Sequence, residues 1–316
     1  MQVVFVRLLA VFSMVLMGVL ARRRGWLDAT GTRQVSMLVT NVLYPALIYA
    51  SLVQTFTLRA LAANWTLPAG AVMIMLTGFC VGLAAAWLLR FRDERERRAF
   101  RFQCTINNYV FLPMPLVLIY WGAPGVALLV FSTVGSELAV WTLGVVALTG
   151  NRLHWRALKH LVSMPMAAIG AAVLTLALVE ATGWQVPEAG FWGDLRKALL
   201  AVLDMVGKGT VPLAMMVAGS RMADLHPRHL VRTPQLAVVL LRLVAVPAAA
   251  VLLLQFLPFA AEARQVLTVV AVMPSAIASV MLSEIYDADS EFAAAAVLLT
   301  HAVALVTIPL WLGWAL

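Results

Sequence analysis

The sequence predicts an all-α integral membrane protein, ten transmembrane helices arranged as two inverted five-helix repeats. Three observations predict it. Of 316 residues 63% are hydrophobic and 12% charged, with a mean hydropathy of +0.92, too apolar to be hidden inside a water-soluble core. Ten apolar stretches follow one another at the length a hydrocarbon layer about 30 Å thick requires. Two of them, 165 to 170 residues apart, are versions of one pattern: an apolar stretch interrupted by Asn, Pro and small polar residues, then a Tyr and a turn.

In chain order the predicted segments are 3–20, 34–53, 67–89, 104–121 and 125–148, then 161–181, 198–220, 231–257, 264–282 and 292–314. Segment 1 is followed, not preceded, by its basic cluster Arg22 to Arg24, so it reads as a retained helix and not a signal peptide. Segment 2 carries NVLYPAL (41–47) around Pro45, and segment 7 carries KGTVPLA (208–214) around Pro212. Segments 3, 6 and 8 are almost uniformly apolar, apart from Glu180 and Arg232 near segment ends and Arg242 in the middle of segment 8. Segment 4 opens the patterned stretch INNYVFLPMPLVLIYWGAPG (106–125), and segment 9 opens its partner MPSAIASVMLSEIYDADSE (273–291). Segment 5 holds Glu137 and segment 10 holds His301. All ten are too long and too evenly apolar for the alternating strands of a barrel.

Basic residues fix an expected orientation. The loops after segments 1, 3, 5 and 7 carry 16 of the 23 Lys and Arg, among them Arg22, Arg23, Arg24, Arg95, Arg98, Arg152, Arg156, Arg228 and Arg232. These loops should face the cytoplasm, which puts both termini outside in a multi-pass protein of the cell inner membrane. The formal charge of +8 is then a topology signal, and nucleic acid is not an expected partner. Trp26, Trp65, Trp184 and Trp314 near segment ends are expected as interfacial anchors.

An odd number of crossings per repeat turns the second copy upside down. Residues 1–150 form the first repeat and 151–316 the second. Paired interruptions in two halves are the sequence pointer to a secondary transporter, because a broken helix exposes backbone groups to a solute. Half-helix N-termini there favour a carboxylate, so a small organic anion is the expected substrate. Asn107, Asn108, Pro113, Pro115, Pro274, Ser275 and Ser279 are the expected substrate-binding residues, with Asn41 beside Pro45. Asp204 and Lys208 lie four apart on one helical face and are expected to neutralise each other in the membrane, as a structural pair or a proton-linked one. Glu137 and His301 complete the expected ion-coupling set.

The same residues resemble the auxin efflux carrier family. Asn108, Phe111, Pro113, Pro115 and Gly122, with Met273-Pro274 and Glu284 to Tyr286, are similar to its motifs, as are Gly18, Gly25-Trp26-Leu27 and the Pro45 segment. The resemblance implies a fold similar to sodium/proton antiporters and bile-acid symporters, with a scaffold of segments 1, 2, 6 and 7 and a core of segments 3–5 and 8–10 in which segments 4 and 9 cross. It implies that Asn108 contacts a substrate carboxylate. Pro113 stands where bacterial members usually have Gly, and Asn107 and Ser279 stand where plant exporters have prolines. The short 149–160 loop resembles bacterial members, which are proposed to carry malonate and other small acids.

A zinc-spaced His/Cys/Asp cluster, a phosphate-binding Gly-rich loop and a Walker Lys are missing from the sequence, so no cofactor, metal or ATP-driven step is expected. Cys80 and Cys104 read as free thiols. Proton is a possible coupling ion and sodium a weaker one, since segments 4 and 9 offer no mid-helix carboxylate. A second copy of the chain is a possible partner. The alternative class is a membrane sensor or an intramembrane enzyme; STVGSE (132–137) is the nearest candidate for the latter and has no neighbouring His or Lys motif.

Overall fold

The computed structural model describes residues 2–150, 159, 161–183, 190–224 and 231–315. The expected Trp184 anchor and the basic residues Arg152, Arg156 and Arg228 lie outside the described residues. The elements are helices: α1 (Gln2–Arg23), α2 (Ala29–Leu38), α3 (Tyr44–Thr55), α4 (Leu58–Ala63), α5 (Thr66–Leu89), α6 (Glu94–Thr105), α7 (Pro113–Ala139) and α8 (Val145–Thr149). There follow α9 (Met164–Thr182), α10 (Phe191–Lys208), α11 (Thr210–Ala223), α12 (Thr233–Leu240), α13 (Val246–Phe256), α14 (Ala261–Ala271), α15 (Ser279–Ile285) and α16 (Ser290–Ala315). Among the described residues, seven helical stretches are long and apolar enough to cross a membrane: Ala29–Thr55, Leu58–Leu89, Pro113–Thr149, Met164–Thr182, Phe191–Ala223, Thr233–Phe256 and Ser290–Ala315. This is an all-α membrane protein.

Segments 4 and 9 are split. Helix α6 ends at Thr105 and α7 begins at Pro113; α14 ends at Ala271 and α15 begins at Ser279. Proline explains part of this. Pro113 sits in the first turn of α7, where a missing N–H costs nothing and its fixed φ suits a helix start, and Leu112 before it already has helical angles, φ −78° and ψ −41°. Helix α7 itself changes direction at Gly122, whose φ of 63° and ψ of −155° only glycine adopts at low cost. The sequence places a turn there, between segments 4 and 5.

Among the described residues, three π-helical turns interrupt the long helices, at Val39–Leu43, Val140–Gly144 and Leu241–Ala245. Two precede a proline. Pro45 and Pro247 cannot donate to the carbonyls of Asn41 and Leu243, four residues earlier, and the helix loosens instead. The Leu243 carbonyl takes its hydrogen from the Trp311 indole, 2.8 Å away on α16. Pro212 acts similarly on the carbonyl of Lys208, where α10 ends and α11 starts beyond Gly209.

Glycines let the backbones meet. A Cβ at Gly135 of α7 would lie 1.9 Å from the Pro68 carbonyl oxygen of α5. Gly78 and Gly82 on α5 admit the end of α6 at Cys104, where an added Cβ would lie 2.4 Å from its oxygen and 2.7 Å from its Cβ, respectively. Small residues at such contacts allow dispersion to operate over whole helix faces, the main cohesive term where lipid surrounds the protein. Phe100, Phe102 and Ile106 form one buried cluster with Leu148, Val238, Phe292 and Ala296. A larger cluster runs from Tyr44, Ile48 and Leu52 through Leu116, Val117 and Leu129 to Val266 and Val270. Outside these, Leu195, Leu199, Val202 and Met205 of α10 and Leu16, Met17 and Leu20 of α1 are exposed, as suits faces turned to lipid. Trp26, Trp65 and Trp314 are exposed as well.

Candidate functional site

Both interruptions leave the helical ladder in mid-helix, and each must find partners for its freed amides and carbonyls. They find many of them in one another. The Asn108 amide donates to the Pro274 carbonyl at 2.8 Å and the Ala276 amide to the Ile106 carbonyl at 3.1 Å. Asn107 and Ser275 thus face each other in an isolated antiparallel bridge. Side chains lock the same junction. Asn107 Nδ2 donates to the Val270 carbonyl, Ser275 Oγ to the Gln103 carbonyl at 3.1 Å, and Gln103 Nε2 to Ser279 Oγ at 2.7 Å. Asn107, Ser275, Ser279 and Gln103 are fully buried.

Asn108 differs from its neighbour. Its Oδ1 accepts from the Leu112 amide at 3.3 Å, capping the approach to α7, while its Nδ2 donates no hydrogen bond among the described residues. Pro113 and Pro115 occupy the first turn of α7 and bring no amide hydrogens; Met114 gives its own to the Val110 carbonyl at 3.0 Å. Phe111 packs on Tyr44 of α3 with ring centroids 6.3 Å apart. Pro274 lies in the second interruption and supplies the carbonyl that Asn108 binds.

Two charged residues converge on this junction. Tyr109 donates from its hydroxyl to Glu137 Oε1 at 2.8 Å, and the Trp141 indole donates to Oε2 at 3.1 Å. Trp141 reaches Glu137 from the π-helical turn that follows α7. From the π-helical turn between α12 and α13, Arg242 is completely buried and donates to three carbonyls: Ala271 from Nη2 at 2.6 Å, Met273 from Nε at 3.1 Å and Cys104 from Nη1 at 3.4 Å. The expected substrate-binding and ion-coupling sets omit Arg242. Its signal in the sequence is a lone Arg in an apolar segment, which carries no hint of backbone acceptors.

The remaining expected residues stand apart. Asn41 is exposed in the first π-helical turn, and no hydrogen bond joins it to the interruptions among the described residues. Asp204 and Lys208 do pair, at 2.7 Å, but on an open face of α10, with side chains 43% and 74% exposed in the single chain. The pair therefore forms as the helical spacing predicts. His301 is buried on α16, its Nδ1 hydrogen-bonded to the Val297 carbonyl at 2.9 Å. Since a carbonyl only accepts, Nδ1 carries the proton and Nε2 is left as a buried lone pair without a partner among the described residues. No cluster of His, Cys, Asp and Glu able to hold a metal occurs among the described residues.

Comparison with known proteins adds the family. The model described as membrane transport protein matches residues 3–160 and 158–312. An uncharacterized transporter of Methanocaldococcus jannaschii is 25% identical over 98% of this chain and 97% of its own length. An uncharacterized transporter of Methanothermobacter thermautotrophicus is 26% identical over 96% of this chain and 95% of its own.

Proposed function

Because the chain belongs to the membrane transport protein family, the auxin efflux carriers whose motifs it resembles, we propose that it is a secondary carrier for small organic anions, weak carboxylic acids of malonate or auxin type. Membership makes it a multi-pass membrane transporter and not an enzyme. The proposal extends to ten transmembrane helices in two inverted repeats, with split segments 4 and 9 in the core, cytoplasmic basic loops and both termini outside. Substrate binds where the interruptions meet, and the core moves against the scaffold to give alternating access.

The observation that carries this reading is the uncommitted amide of Asn108 at the approach to α7. A carboxylate placed there meets a hydrogen-bond donor and the positive end of a helix. Flux of labelled malonate and a panel of mono- and dicarboxylates into liposomes, with and without pH or sodium gradients, tests it. Saturable flux of an acid supports the anion reading; none across the panel, from folded protein, overturns it.

Glu137 is the favoured proton site. Its described neighbours are Tyr109, Trp141 and, from α3, Tyr44, none of which carries a positive charge. An ionised Glu137 repels an incoming carboxylate across a medium of low dielectric, and a protonated one does not. Binding should therefore strengthen as pH falls. Glu137→Gln, neutral at every pH, should keep flux at the acidic level and flatten its fall towards alkaline pH, whereas Asp204→Asn should keep the wild-type profile. The reverse pattern would move coupling to the Asp204–Lys208 pair.

A further inference from the structure

Helix C-terminal ends gather negative partial charge on carbonyls with no intrahelical partner. In carriers with broken helices, such ends and the unwound carbonyls beside them are where a coupling cation is coordinated. Here α6 and α14 both end at the junction, and many of the carbonyls there find donors across it. The Phe102 carbonyl accepts from the Ile106 amide, that of Gln103 from Ser275 Oγ, and that of Ile106 from the Ala276 amide. The Thr268 carbonyl accepts from the Val272 amide, and that of Val270 from the Met273 amide and Asn107 Nδ2. Three further carbonyls, those of Cys104, Ala271 and Met273, drawn from both sides of the junction, accept from the Arg242 guanidinium.

We infer that the Arg242 guanidinium occupies the place of a coupling metal cation, so that this carrier holds its cation covalently and has no sodium site at the junction. The inference rests on reading the junction as the transport site. The three carbonyl oxygens that surround the guanidinium come from unwound chain and helix ends, the kind of oxygen donor that holds Na⁺ in carriers with broken helices. Glu137, tied to the junction through Tyr109, accepts from Tyr109 and Trp141, and the hydrogen bonds that Arg242 makes among the described residues all go to backbone oxygens. Arg242 is carried on a π-helical turn ahead of Pro247, a loosened stretch that brings a long side chain to the junction without a break in the helix. A tethered cation cannot dissociate with each turnover, so it stabilises the junction in every state and transmits no sodium gradient.

The test is independent of substrate. The thermal midpoint of purified protein in nanodiscs is followed as NaCl, LiCl, guanidinium chloride, choline chloride or urea is added at low millimolar concentration. Wild type should respond to Na⁺ and Li⁺ no more than to choline. Arg242→Ala should unfold at lower temperature and regain a saturable part of the loss with guanidinium, Na⁺ or Li⁺, but not with choline or urea. Rescue by guanidinium with no response to either metal ion reduces Arg242 to a cap on two helices and overturns the inference, as does stabilisation of wild type by Na⁺. Should Arg242→Ala fail to fold, Arg242→Lys carries the test. Its shorter ammonium leaves part of the donor set open, so a saturable upward shift with Na⁺ or Li⁺ supports the inference and none overturns it. Failure of the acid panel with these shifts intact would retire the anion reading and leave the tethered cation standing.

Discussion

Gly219→Leu is expected to yield no monodisperse protein. Helices α1 and α11 touch backbone to backbone: a Cβ at Gly219 would lie 1.9 Å from the Val15 carbonyl oxygen, and one at Gly18 would lie 2.0 Å from that of Met216. Overpacking a core typically costs about 1 to 3 kcal/mol when side chains can yield. Here the obstructing atoms are main-chain atoms of a helix, so the helices must part along their length, and the cost should exceed that range. Gly170→Leu on α9, where a Cβ meets nothing within 4 Å, should elute and melt like wild type. Size-exclusion profiles and thermal midpoints of the two variants, measured together, decide the matter. Equal behaviour would mean that α1 and α11 do not approach this closely.

Asn108→Ala is expected to lower flux at sub-saturating substrate by roughly one to two orders of magnitude, the worth of about 1.5 to 3 kcal/mol for a hydrogen bond to a charged group. Alanine also removes the acceptor that caps the Leu112 amide, so loss of flux alone could reflect a loosened α7. Asn108→Asp separates the two effects. It keeps an oxygen for Leu112, removes the amide donor and adds a repelling charge. The protein should keep its thermal midpoint and lose flux at least as completely as the alanine variant. Normal transport by either variant would remove Asn108 from the binding site.

Much of the site was legible because its signals are local. A proline removes a donor at a fixed distance, so Pro45, Pro113 and Pro212 announced irregular backbone from sequence alone. The Asp204–Lys208 pair follows from helical spacing, and it forms. What the sequence could not show is which face that spacing points to: the pair lies on an open face of α10. Nor could it show partners set by tertiary approach. Arg242 binds carbonyls 29 to 138 residues away, and backbone acceptors leave no residue-type signature. Glu137 meets Trp141 at ordinary i,i+4 spacing, but it meets Tyr109, 28 residues away, only through a broken helix. His301 reads as a proton relay by residue type, yet one of its nitrogens is spent within its own helix.

The bridge between residues 106–108 and 274–276 also has a mechanical consequence. Two main-chain hydrogen bonds join the interruptions reciprocally, inside a buried setting where water cannot substitute for either one. Interrupted helices are readily pictured as hinges, but these two are joined so that neither can bend away from the other without breaking both bonds. Under the proposed alternating access, sliding then falls on seams where side chains meet side chains, such as Phe111 on Tyr44. The Asn108 and Ala276 amides should accordingly be among the slowest in the protein to exchange with deuterium, although they sit at the two places where its helices stop.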